Sequence, residues 1–310
     1  ETLSKTKKIC YNMGEKILSD WRRIQEECAG IACEMPFSFP PRCSIGCGGI
    51  ARAAFFPANI AEMLFLSEFF TREGVKFAVL GNMTNVLPPD GMYEGALIFT
   101  DRLKSIGFGR TVFATAGVRA KALLDACERE GRTGAEFLAG IPCSVGGAAF
   151  MNAGAGGRYF SDIAESVLVC RSGRIRVLSR EECGYGYKKS AFMEDGSIVL
   201  GASFALDRAD GKAVKKKRAE YLAARASLPK GRSMGCVFKN PPEAPAGKLI
   251  EGAGMKGLRL GGAVVSERHA NFILNTGGAT SSEIKALISV VKNAVFSQYG
   301  VALEEEIRRL

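Results

Sequence analysis

The chain has 310 residues, of which 47% are hydrophobic and 24% charged, and it carries a formal net charge of +10. That length accommodates two or three domains with their own cores, and no apolar run reaches the roughly 18 residues of a membrane-spanning helix. The 10 cysteines form no C-x-x-C pair and only 1 histidine is present, so a metal site and a disulfide scaffold are not expected and reduced thiols are. The positive excess raises the local concentration of anionic ligands. A nucleic-acid partner would call for clustered cations interleaved with stacking aromatics, and no such stripe occurs outside residues 212–218. The first residues lack the zones of a signal peptide, so a cytoplasmic, membrane-free monomer is expected.

From the start to Ala29, Leu3, Ile9, Met13, Ile17, Trp21, Ile24 and Cys28 recur at near-helical spacing and predict an amphipathic helix. Gly30–Ser44 holds three prolines and reads as a linker or wrapping loop. Asn59 with Glu62 marks a helix start, and the helix runs to about Arg72. Gly74 ends it, a short buried strand Lys76–Leu80 follows, and the small-residue loop Gly81-Asn82-Met83-Thr84-Asn85 comes directly after. Strands are predicted at Ala96–Phe99, Thr111–Ala116, Ser166–Cys170, Arg174–Leu178 and Ile198–Leu206, with a helix at Ala120–Glu130. Beyond Asp207 a basic helix, Ala213–Ala226, reads as a solvated face. A strand near Asn271–Asn275, a helix Ser281–Gln298 opened by Thr280 and Glu283, and a final strand Leu303–Arg308 complete the chain.

The run Ala139–Gly157 contains six glycines and five alanines, with Ile141, Val145, Phe150 and Met151 able to anchor it in a core. Main chain so bare can approach a ligand closely and present N–H groups to it, or it can form a close-packed corner without one. Gly81–Asn85 after its strand can donate hydrogen bonds to a pyrophosphate. Gly46-x-Gly48-x-x-Ala51 has dinucleotide-fingerprint spacing, but Pro40-Pro41-Arg42-Cys43-Ser44 before it is no buried strand, so it is discounted. Gly235-Cys236-Val237-Phe238-Lys239-Asn240-Pro241 offers a thiol, a cation and an amide, and reads equally as a turn around a buried cysteine. Tyr185–Ser190 and Ser266–Asn271, the latter holding His269, read first as a surface turn and a structural histidine.

Taken in order, Ala78–Leu87, Gly134–Gly157, Tyr187–Phe192, Gly235–Pro241, Ala246–Ser266, His269–Asn275 and Leu303–Arg308 resemble the UDP-N-acetylenolpyruvoylglucosamine reductase (MurB) family, in its shorter class without a substrate-capping loop. The resemblance implies an α+β fold: a two-part FAD-binding region of the vanillyl-alcohol-oxidase (PCMH) type, and a C-terminal α/β substrate-binding domain. The implied divisions are an N-terminal helix and linker (1–44), FAD subdomains at 45–93 and 94–206, and a UDP-sugar domain at 207–310. The implied reaction reduces UDP-N-acetylglucosamine enolpyruvate to UDP-N-acetylmuramate with FAD and NADPH, in peptidoglycan precursor synthesis. An FAD-dependent oxidoreductase of the same superfamily acting on another substrate is the alternative.

Position by position, the resemblance implies FAD contacts at Gly81, Asn82, Met83, Thr84, Asn85, Gly140, Ile141, Pro142, Ser144, Gly146, Gly147, Ala148, Asn152 and Gly154. It implies catalytic roles for Lys188, Cys236 and Glu306, and substrate contacts at Tyr187, Lys239, Asn240 and His269. The chain departs from the family pattern at several of these positions. Cys236 stands where Ser is common, and with a reference pKa of about 8.5 it implies activity falling at alkaline pH. Lys188 replaces an Arg and loses the planar fork that grips a carboxylate twice, which implies a slower reaction, assistance from Lys189 or Arg225, or a chain that has drifted from the usual reaction. Cys143 replaces a Gly. Met83 and Thr84 replace a Gly-Ser pair, and Met83 implies a loop of different shape, because positive φ is costly there.

Overall fold

The computed structural model describes residues 21–310. Leu3, Ile9, Met13 and Ile17 of the predicted first helix lie outside the described residues; residues 21–27 are helical, with Ile24 and Cys28 buried. Three sheets organise the rest. The first has the order Ala32–Glu34, Ile50–Phe56, Met92–Phe99, Phe77–Leu80, with Phe37–Ser38 also paired to Ile50–Phe56. Ile50–Phe56 and Phe77–Leu80 both run parallel to Met92–Phe99. The connection between them is helix Ile60–Arg72, capped by Asn59, whose side chain accepts from the Glu62 N–H at 2.9 Å.

Two segments here differ from the sequence reading. Residues 30–44 are no loose linker: Phe37 and Phe39 are fully buried, and both short strands join the sheet. Ile50–Phe56 is a strand, and most of it is buried because it is covered on both faces, as parallel strands usually are. Its side chains therefore do not alternate between polar and apolar.

The second sheet is antiparallel, in the order Arg174–Ser179, Ala164–Arg171, Ile198–Phe204, Val112–Thr115, Ile106–Phe108. Helices Ala120–Arg129 and Val145–Met151 pack on it around Phe137, Phe160 and Phe204. Val145–Met151 lies inside the glycine-rich run. Ser144 caps it by accepting from the Gly147 N–H at 3.2 Å. Small residues are required there because a Cβ on Gly146 would stand 2.8 Å from that of Ala116.

The third sheet, Arg232–Cys236, Phe272–Asn275, Ala263–Val265, Arg259–Leu260, is antiparallel and is covered by helices Ala246–Gly252 and Ser281–Tyr299. The predicted Thr280–Glu283 capping box opens the long helix. Its N-terminus is tied to the first unit by Asp90, which accepts from the Ser281 and Ser282 N–H groups at 2.6 and 2.8 Å. One core runs continuously from Phe37 and Met83 into Ile284 and Val295. The end of the chain pairs Arg308–Arg309 in parallel with Val86–Leu87, a shorter strand than the pattern predicted.

Candidate active site

A cavity of about 1320 Å³ lies where the three units meet. One wall is the loop Gly81–Asn85, delivered by strand Phe77–Leu80; the facing wall is Gly140–Gly157. The walls approach closely: the Asn82 amide donates to the Pro142 carbonyl at 3.4 Å, and a Cβ on Gly81 would meet Ser144 Oγ at 2.5 Å. Met83 adopts the left-handed conformation, at φ 49°, despite its side chain. Its side chain is buried and its carbonyl accepts from the Ser44 N–H at 3.2 Å. Packing and that hydrogen bond hold a conformation that costs roughly 1–2 kcal/mol for a non-glycine residue.

The reacting end is assembled from three separate segments. Tyr187 and Lys188 occupy the tip of a tight turn closed by mutual hydrogen bonds between Gly186 and Lys189 at 3.0 and 3.2 Å, with Lys188 at φ 53°. Two buried polar groups staple this turn to the glycine-rich wall. The Asn152 amide donates to the Gly186 carbonyl at 2.9 Å, and Ser190 Oγ donates to the Phe150 carbonyl at 2.6 Å. Lys188 Nζ then reaches Glu306 at 2.7 Å, both side chains being only 16% and 14% exposed. Glu306 is held through its backbone, its N–H donating to Val237 and its carbonyl accepting from the Asn85 amide. Cys236, at the end of strand Arg232–Cys236, lines the same cavity. Burial pushes its thiol up to about 11, Glu306 adding to the rise and Lys188 and Arg225 opposing it. Burial likewise pushes Cys143 up to about 12.

Of the residues singled out from the sequence, Gly81, Asn82, Met83, Thr84, Asn85, Gly140, Ile141, Pro142, Ser144, Gly146, Gly147 and Gly154 line the cavity, as do Tyr187, Lys188, Cys236, Asn240 and Glu306. Four others stand behind the lining. Ala148 faces the core of the second unit. Asn152, the left-handed C-cap of its helix, spends its amide on Gly186 and accepts from the Ser161 N–H at 3.0 Å. Lys239 is turned outward to Glu304, because its neighbour Phe238 is the one buried. His269 accepts from the Asn271 N–H at 3.3 Å and lies 5.2 Å from the Phe272 ring centroid, its pKa lowered by burial.

The cavity also takes in Tyr159, Arg225 and Arg308. Arg308 was accessible from the pattern, since it stands two residues after Glu306 in an extended segment and so on the same side. Tyr159 left no local signal. Tyr187 Oη accepts from the Asn240 N–H at 3.2 Å, and Asn240 Oδ1 from the Ala246 N–H at 3.0 Å, which joins the Gly186–Lys189 turn to the third unit.

The volume exceeds the roughly 300–1000 Å³ of a site for one small ligand. Its lining combines bare glycine main chain, aliphatic surface from Val79, Ile198 and Val199, amides and hydroxyls from Asn82, Thr84 and Ser144, and the cations Lys188, Arg225 and Arg308. That combination fits an aromatic, polyphosphate dinucleotide together with a second anionic ligand.

Fold and site thus define an FAD-binding protein, and residues 51–179 match the family model described as "FAD binding domain". Residues 226–310 match "UDP-N-acetylenolpyruvoylglucosamine reductase, C-terminal domain". The UDP-N-acetylenolpyruvoylglucosamine reductase of Carboxydothermus hydrogenoformans is 39% identical over 268 residues, covering 85% of this chain and 89% of the relative. That of Streptococcus pneumoniae is 39% identical over 267 residues with the same coverage. The crystal structure of the Thermus caldophilus reductase superposes with a TM-score of 0.80 at 32% identity, covering 90% of this chain and 99% of that one. The chain belongs to the UDP-N-acetylenolpyruvoylglucosamine reductase family. It is an FAD-dependent oxidoreductase with NADPH as reductant, acting in peptidoglycan precursor synthesis.

Proposed function

We propose that Lys188, Glu306 and Cys236 carry out the reduction of UDP-N-acetylglucosamine enolpyruvate, and that the other cavity-lining residues hold FAD and the substrate. The observation that carries this reading is the Lys188–Glu306 pair at 2.7 Å, largely buried and facing the same cavity as the Cys236 thiol. Gly81–Asn85 and Gly140–Gly157 would hold FAD between them, and that flavin, once reduced by NADPH, would supply the hydride that the β-carbon of the enol ether takes up. Negative charge then builds at the α-carbon and its carboxylate. Lys188 opposes that charge electrostatically in a site from which the walls exclude water. Glu306 fixes the ammonium through the short ion pair. Cys236 holds the proton the α-carbon requires, and its raised pKa keeps the thiol protonated at neutral pH. Delivery of that proton completes the lactyl ether, and solvent reprotonates the thiolate.

Gly81, Asn82, Thr84, Ser144 and Gly147 are assigned to FAD, and Tyr187 and Asn240 to the UDP-sugar. The assignment gives a first FAD-binding part that closes with strand Met92–Phe99, a second that runs on through helix Gly211–Ala224, whose Arg218 pairs with Asp125 and Glu128, and a substrate part from there to 310, in place of breaks at 93 and 206, the protein being a cytoplasmic monomer with neither nucleic acid nor membrane as partner. With oxygen excluded, purified holoenzyme should oxidise one equivalent of NADPH per flavin on its own and turn NADPH over repeatedly only when the enolpyruvyl UDP-sugar is supplied. Cys236→Ser should retain turnover and Cys236→Ala should lose it; an Ala variant as active as the parent would remove Cys236 from the reaction.

A further inference from the structure

Helix Gly211–Ala224 presents its lysines to solvent, but the residue that closes it does something else. Arg225 is the C-cap, its N–H donating to the Leu222 and Ala223 carbonyls. Its side chain runs into the cavity past Gly140, where an added Cβ would lie 3.2 Å from both Arg225 Cδ and Nε. The bare residue at the head of the glycine-rich wall is therefore what admits the guanidinium. Among the described residues that guanidinium has no hydrogen bond or salt bridge, and its Nε is buried without a partner. It stands within electrostatic reach of the Cys236 and Cys143 thiols.

The other cations nearby are paired or exposed, Lys230 being a cavity-lining cation that is exposed to solvent. Lys188 is already paired with Glu306 and offers a single ammonium rather than a fork. Lys189 points away to Glu194 at 2.9 Å with 56% of its side chain exposed, so it does not assist at the site. Lys239 is held by Glu304. Arg308 is exposed and leans on the Phe150 ring at 5.9 Å.

We infer that Arg225 grips the substrate carboxylate while charge builds beside it, supplying the planar fork that Lys188 lacks. This rests on the reading of the reaction given above. A guanidinium offers two parallel N–H donors to a carboxylate, which a lysine ammonium does not. An unpartnered buried Nε is a donor whose desolvation is offset only when an acceptor arrives. Arg225 stays charged throughout: the hydride still goes to the β-carbon and the proton still comes from Cys236 Sγ.

The test uses holoenzyme loaded with FAD and compares the parent with Arg225→Met, Lys188→Arg and the double variant. Arg225→Met should lower kcat by about 100-fold, the scale for deleting one donor to a developing anion. The double variant should recover at least about tenfold of this, because a guanidinium then stands at 188. Titration calorimetry supplies the second readout. Arg225→Met should weaken UDP-N-acetylmuramate, which carries the carboxylate, by about tenfold or more, and leave UDP-N-acetylglucosamine, which has none, unaffected. Three results would overturn the inference: unchanged kcat in Arg225→Met, equal weakening of both nucleotide-sugars, or loss of bound FAD in proportion to activity, which would make Arg225 a cofactor-holding residue. A parent enzyme that turns over no enolpyruvyl UDP-sugar and binds neither nucleotide-sugar would instead overturn the reading of the reaction, and the role of Arg225 with it.

Discussion

Gly81→Ala tests how the two walls of the FAD cavity depend on one another. Gly81 has no left-handed φ, so alanine fits its backbone, and in open space the change would stabilise by about 0.4–1 kcal/mol through the unfolded state. The space is not open, because the new Cβ would lie 2.5 Å from Ser144 Oγ. Ser144 is 2% exposed, and its hydroxyl caps helix Val145–Met151 by accepting from the Gly147 N–H at 3.2 Å. Rotating the hydroxyl away removes the cap and leaves the Gly147 N–H without that partner, together worth about 1–2 kcal/mol. Set against the entropic gain, Gly81→Ala should therefore cost about 0.5–1.5 kcal/mol net.

In a Ser144→Ala background the cap is already gone, and the nearest remaining atom, the residue 144 Cβ, lies at an ordinary 3.6 Å. There Gly81→Ala should be neutral or slightly stabilising, giving a coupling of about 1.5 kcal/mol in a double-mutant cycle. Urea denaturation at fixed free FAD measures all four proteins. An equal cost for Gly81→Ala in both backgrounds would refute the claim that these walls meet through the Ser144 hydroxyl.

Three further outcomes are expected. Because the Cys236 thiol is pushed up to about 11, the proton-transfer step should stay flat through moderately alkaline pH and fall only near that value, measured as kcat against pH; a fall centred at about 8.5, the ordinary cysteine value, would contradict the buried environment. Met83→Gly relieves about 1–2 kcal/mol of backbone strain but deletes a buried side chain worth about 2–5 kcal/mol, so denaturation should show a net loss of about 1–3 kcal/mol. Burial raises the Asp90 carboxyl, but the Ser282 hydroxyl and the Ser281 and Ser282 N–H groups more than offset this and hold it below its ordinary value. A depressed carboxyl stabilises above its unfolded pKa and ceases to as pH falls through its folded one. Because Asp90 is exposed and an Asn side-chain oxygen can still accept one of these bonds, Asp90→Asn should cost no more than about 1 kcal/mol at neutral pH and less below about pH 4, followed by thermal melts.

Local chemistry made much of this protein readable from its residues. Asn59 and Thr280 announced two helices because a cap needs a particular side chain at a particular step, and Gly140–Gly157 announced bare main chain, which proves to be both a cavity wall and, at Gly146, a close-packed corner on Ala116. What stayed hidden depends on tertiary placement. Ile50–Phe56 lacks alternation because neighbours cover both faces. Val145–Met151 is helical against the weak propensity of its glycines, since packing on Ala116 and the Ser144 cap decide it. The alkaline limit expected from an ordinary cysteine is displaced upward because burial is invisible in the residue type. Lys239 and His269 carry the residue types of ligand contacts, yet Glu304 holds one and the Asn271 backbone the other.

The central claim is that one cavity takes hydride from NADPH and passes it to an enolpyruvyl UDP-sugar, with Cys236 delivering the proton. It is tested most directly by rapid mixing of the NADPH-reduced enzyme, free of oxygen, with that substrate. The oxidised flavin band should return in a single turnover, with the α-carbon of the product labelled when the solvent is heavy water. Reduced enzyme that regains its colour only on exposure to oxygen, leaving the enolpyruvyl sugar unchanged, would contradict the account.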